Sequence, residues 1–91
     1  MEDMISIGYR NYVMAERIVA VVAPGSRPTK ILINGARENG KLVDATMGKK
    51  TKSVIIVDSN HVILSANAPD TIVHRVQAAN DRSSLNPEGD G

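Results

Sequence analysis

The sequence predicts an α+β domain, a single small unit in which a mostly antiparallel sheet carries two helices. Three observations lead there. Apolar runs of strand length recur at 18–23, 53–57 and 61–66, separated by turn residues. Two longer stretches, from Pro28 and from Pro69, open with a residue whose missing N–H costs nothing in a first helical turn. The chain has 91 residues, enough for one domain. The expected order is β-β-α-β-β-β-α.

Residues 5–13, ISIGYRNYV, alternate Ile5 and Ile7 with small or polar neighbours and read as a first strand with one wet face, bulged at Gly8. IVAVVA at 18–23 is apolar on both faces, as a central strand covered from both sides would be. A helix is predicted from Pro28 to Asn39 with Ile31, Leu32, Gly35 and Ala36 inward, stopped by Gly40. KLVDATM at 41–47 is the third strand, and Gly48 with its lysines forms a bend. SVIIV at 53–57 and HVILSA at 61–66 pair antiparallel across an Asp58-Ser59-Asn60 turn. A second helix is predicted from Pro69 to about Ala79, with Ile72, Val76 and Ala79 as its stripe and Asp70 in its first turn. The domain is expected to span 1–79. Residues 80–91 read as an acidic tail too polar to pack, and therefore mobile.

Composition narrows the function. With no cysteine, disulfides and thiolate chemistry are excluded. The N-terminus has no basic-then-apolar leader pattern, and the longest apolar run is far too short to span a bilayer. A cytoplasmic protein without membrane attachment is the expectation. Aromatic content is 2%, so Ile, Val, Leu, Met and Ala must build a thin core. Two short helices cannot cover both faces of so apolar a sheet, and uncovered apolar surface predicts self-association. Net charge is +1, divided between a body of +3 and a tail of −2.

Few residues carry chemistry. GARENGK at 35–41 imitates a P-loop, but a helix precedes it, a strand follows it and Leu42 stands where the hydroxyl should be. A helix stop at Gly40 accounts for it better. His61 and His74 lack metal-site spacing. A serine, a histidine and Asp44 could nominally form a triad, but nothing in the sequence brings them together and there is no nucleophile elbow. No enzyme, cofactor or small-molecule substrate is expected. The strongest feature is Lys49, Lys50 and Lys52 at the mouth of a strand. It has two readings. Lysines at a strand edge guard against aggregation. Lysines are also flexible point charges suited to phosphate, and the absence of a stacking aromatic beside them favours double-stranded DNA over single strands. Arg17 is a second candidate, and by itself reads as an exposed partner of Glu16.

IGYRNYV, AERIVAVVAPGSRPTK, GKLVDATMGKKTKSVIIVDSNHVILSA and PDTIVHRV, together about residues 5–76, resemble the RemA family of extracellular matrix regulatory proteins. The resemblance implies a fold similar to LytTR-type DNA-binding domains. It implies a bacterial transcriptional regulator of biofilm-matrix genes, binding double-stranded DNA as a ring-shaped homo-oligomer, heptameric or in paired rings. Carried over by position, the family's DNA-contacting arginine falls on Arg17 and its basic pair on Lys49 and Lys50, with Lys52 beside them. Pro28 matches a proline implicated in family function through the loop or the subunit interface. The family's run is arginine-rich where this chain has lysine, which keeps charge but loses bidentate geometry. The alternative is a structural or protein-interaction ring in which the lysines only solvate the turn.

Overall fold

The structure, a computed structural model, describes residues 3–84. Strands β1 (Met4–Gly8) and β2 (Asn11–Met14) form an antiparallel hairpin. A single 3₁₀ turn at Ala15–Arg17 leads into β3 (Ile18–Val22). Helix α1 (Arg27–Glu38) and the short β4 (Leu42–Asp44) follow. Strands β5 (Ser53–Val57) and β6 (Val62–Ser65) precede helix α2 (Pro69–Ser84). The four longer-range strands make one sheet in the order β3-β5-β6-β4. The α+β class with two helices and antiparallel-dominated sheets is as predicted; the one parallel pair is β4 with β6.

The alternation of β5 builds the core. Ile55 and Val57 point into a cluster with Ile5, Ile7, Val13, Ala15 and Ile72, so one face of the sheet is covered by the hairpin and α2. Val54 points the other way, onto Val62, Leu64 and Ala36, where α1 lies. Each Val, Leu or Ile side chain so removed from water contributes about 1.5–3 kcal/mol. The stripe Ile72, Val76 and Ala79 of α2 packs as its spacing predicts.

Helix α1 begins where Ser26 caps it. The Ser26 hydroxyl oxygen accepts the Thr29 amide at 3.3 Å and donates to Thr29 Oγ1 at 2.9 Å. Its inward positions are Thr29, Ile33 and Ala36, spaced by four and then three. The predicted Ile31 and Leu32 instead stand exposed, at 62% and 38%.

Four further expectations are corrected. The predicted first strand, 5–13, is two strands, because Tyr9 and Arg10 turn the chain with φ of 53° and 67°. IVAVVA is an edge strand, not the central one; β5 is the interior strand that carries both clusters. The third strand ends at Asp44, and Ala45 and Thr46 are buried as loop residues. Helix α2 runs on through Ser84, so residues 80–84 of the expected tail are helical, and 85–91 lie outside the described residues. Among the described residues no helix is long and apolar enough to cross a membrane.

Candidate functional site

The sheet order dictates where the lysines go. β4 and β5 are joined in sequence, yet β6 lies between them. The connecting loop must therefore arch over the C-terminal end of β6, a span of two strand spacings, or about 10 Å. Both feet of the arch are fastened to the strand beneath. The Ala45 amide donates to the Leu64 carbonyl at 2.9 Å, and the Lys52 amide to the Ser65 carbonyl at 2.8 Å.

The crown of the arch is a tight turn. Met47 and Gly48 take φ of 53° and 80° in succession, and the Lys49 amide closes the turn on the Thr46 carbonyl at 3.0 Å. Two consecutive left-handed residues are what a type I′ turn requires, and Gly48 meets that at no steric cost. Asp44 braces the near side. Its carboxylate accepts the Thr46 amide at 2.9 Å and the Thr46 hydroxyl at 2.6 Å. These two bonds, the hydroxyl first, hold its pKa below the ordinary aspartate value. The carboxylate is thus committed to the loop, and the nominal triad has no assembled partner.

Lys49, Lys50 and Lys52 are exposed on this braced arch. None forms an ion pair or a side-chain hydrogen bond among the described residues. Three unneutralised ammonium groups within four positions give the loop a local positive potential that attracts anions.

Arg17 lies elsewhere. It ends the 3₁₀ turn, and its carbonyl accepts the Asp58 amide at 2.9 Å, at the far end of β5 from Lys52. Six residues of extended chain separate Lys52 from Asp58, roughly 20 Å. The Arg17 guanidinium faces both Asp58 carboxylate oxygens, at 3.4 and 3.5 Å, and both side chains are at least half exposed. Its partner is Asp58, where sequence proximity suggested Glu16. Within one chain, then, Lys49, Lys50 and Lys52 come together and Arg17 does not join them. Pro28 sits exposed in the first turn of α1.

The hairpin tip does join them. Ser65 Oγ donates to the Ile7 carbonyl at 2.8 Å, while the Ser65 carbonyl holds Lys52. Asn11 Nδ2 reaches the Gly8 carbonyl at 3.0 Å and the Ala45 carbonyl at 3.5 Å. Tyr9 and Arg10, both exposed, therefore stand at the lysine end of the sheet. Sequence reasoning passed over them because the hairpin turn itself was not foreseen.

The remaining motifs have structural explanations. In GARENGK the amides of Asn39, Gly40 and Lys41 bond back to carbonyls of Gly35, Arg37 and Ala36, so none of these three is left to cradle a phosphate. His61 Nδ1 lies 2.7 Å from Ser59 Oγ within a turn, and His74 is exposed on α2. No three His, Cys, Asp or Glu side chains gather as a metal site among the described residues.

Comparison with known proteins gives a consistent answer. The family described as RemA-like, extracellular matrix regulatory protein A-like, matches residues 4–76. A protein of Geobacillus kaustophilus, named "Putative regulatory protein", is 52% identical over 83 residues, covering 91% of this chain and 95% of that one. A regulatory protein so named from Crocosphaera subtropica is 47% identical over 84 residues, 92% of this chain and 93% of its own. Another from Symbiobacterium thermophilum is 47% identical over 88 residues, 97% and 93% respectively. All three names point to regulation and none to catalysis.

Proposed function

The chain belongs to the RemA-like family, and on that premise we propose that it is a non-enzymatic, cytoplasmic regulator of transcription that binds double-stranded DNA. Its regulated genes, by the same resemblance, are those of the extracellular matrix. The observation that carries the reading is the arch: Lys49, Lys50 and Lys52 are presented together and unpaired on a loop whose backbone is already fixed. Fixing the loop beforehand lowers the ordering cost of each phosphate contact. Lysine heads on flexible stems track phosphate oxygens without demanding bidentate geometry.

A body of net +3 holds a polyanion poorly by itself. Repetition supplies what one chain lacks. Val19, Ile31 and Leu32 are exposed apolar side chains, which support association of copies into a homo-oligomer, a closed ring by family resemblance. Each copy adds Lys49, Lys50 and Lys52 at one end of β5 and Arg17 at the other. Linked contacts then act at high effective concentration, and each releases counterions. Sequence preference would follow from DNA bendability along that array, more than from base edges.

Duplex affinity measured across a salt series, beside native mass, tests this. The expected result is an oligomer whose log affinity falls steeply with log salt, by about 0.9 for each phosphate contacted. Lys49→Ala with Lys50→Ala should flatten that slope. Oligomers that bind duplex with no salt dependence, or that do not bind it at all, would instead favour a protein-interaction ring.

A further inference from the structure

We infer that Arg10 is a further DNA contact, forming one cationic surface with Lys49, Lys50 and Lys52. The inference rests on the DNA-binding reading and deepens it.

The tip of the β1–β2 hairpin is built against its own chemistry. Two-residue hairpin turns with both central residues left-handed strongly favour Asn-Gly or Gly-Gly. Here the positions are Tyr9 and Arg10, with φ of 53° and 67°. A long side chain at such a φ is disfavoured, and in a folded protein the surroundings usually offset it. Asn11 braces the turn backbone, donating to the Gly8 and Tyr9 carbonyls, but the Arg10 side chain takes no part: it is exposed, and it forms no hydrogen bond or ion pair among the described residues. A strained position occupied by an unpaired guanidinium points to something outside the chain.

The tip is also held rigidly where that something would be. Ser65 ties Ile7 to the foot of the lysine arch, through its hydroxyl on one side and its carbonyl to Lys52 on the other. Asn11 spans from the hairpin turn to Ala45 at the other foot. The hairpin tip and the arch are thus two projections from one end of the sheet. Arg10 carries the guanidinium that the lysine run lacks, able to take a phosphate through two N–H groups at once or to enter a narrow minor groove. Tyr9 places an exposed ring beside it.

The test uses the full chain, a long duplex and a salt series, comparing wild type with Arg10→Gly, Arg10→Gln and the Lys49→Ala, Lys50→Ala pair. Arg10→Gly should raise the melting temperature, because glycine accepts the turn, and yet bind DNA several-fold more weakly. The salt slope should fall by about 0.9 for each Arg10 in contact with phosphate. Arg10→Gln keeps the strained turn and must lose as much binding as Arg10→Gly. If only Arg10→Gly weakens binding, the effect lies in turn shape and the inference is overturned. If wild type binds and the lysine pair weakens it while both Arg10 variants match wild type, the inference alone fails. If wild type binds no duplex at any salt, the DNA-binding reading fails and this one with it.

Discussion

Ser65 joins two segments far apart in sequence: its hydroxyl donates to the carbonyl of Ile7, 58 residues earlier, at 2.8 Å. The same oxygen accepts the Asn67 amide at 3.0 Å, and the residue is wholly buried. Ser65→Ala would leave the Ile7 carbonyl and the Asn67 amide without that partner. A buried group left unsatisfied costs about 1–3 kcal/mol. The expected result is a lower denaturation midpoint at an unchanged m-value, as read by urea unfolding.

Gly48 sits at φ 80° with open space where a Cβ would project. Gly48→Ala therefore meets no clash and only the left-handed backbone cost, about 1 kcal/mol. The midpoint should drop by that amount, while Gly35→Ala, within α1 and equally uncrowded, should gain up to about 1 kcal/mol from helix propensity. An unchanged midpoint in Gly48→Ala would contradict the turn assignment, and a loss in Gly35→Ala would contradict the open helical site.

Asp44 has a depressed pKa because Thr46 donates to its ionised form. Such a group contributes stability that is complete above its unfolded value, about 3.9, and is lost as pH falls through the lower folded value. The carboxylate is largely solvated, so the effect is small. Unfolding free energy followed from pH 6 to pH 2.5 should show a shallower acid decline in Asp44→Asn than in wild type. Parallel curves would count against the brace.

The Arg17–Asp58 pair is exposed, and pairs of this kind contribute under about 1 kcal/mol. Asp58→Asn keeps a turn-forming side chain and removes the competing anion. Its melting temperature should stay within a few degrees of wild type, while duplex affinity at low salt increases through the released guanidinium. Reduced affinity would mean that Asp58 orients Arg17 and does not compete for it.

What could be read from sequence was what neighbouring residues decide. SVIIV was foreseen as a strand at its observed limits, and Ile72, Val76 and Ala79 were foreseen as the buried stripe of α2. A helix from Pro28 to Asn39 was foreseen and forms at Arg27–Glu38, but its inward face was misassigned. Leu32, one turn before Ala36, lies as near it on the wheel as Ile33 does, and only the sheet beneath chooses between them, whereas Ile31 lies well round from Ala36 and stands exposed. IVAVVA looked central because an apolar run reports hydropathy, not strand order. The turn at Tyr9 and Arg10 lacks the Asn-Gly signature, so it stayed hidden and Arg10 with it. The lysine cluster was visible as a cluster. Half of its support was not: Ser65 reaches Lys52 through the foreseen antiparallel pairing of β5 with β6, but Leu64 reaches Ala45 only through the parallel pairing of β4 with β6.

That pairing also ties the loop to the sheet. β6 lies between the two strands that the lysine loop joins, matching Leu42 with Val62 on one side and Ser53 with Ser65 on the other. Without β6 in place, the loop lacks both of its backbone attachments, at Leu64 and at Ser65. In hydrogen-exchange terms, the amides of Ala45 and Lys52 should therefore open together with β6, so the chain acquires its grip on a polyanion in the same step that completes its sheet.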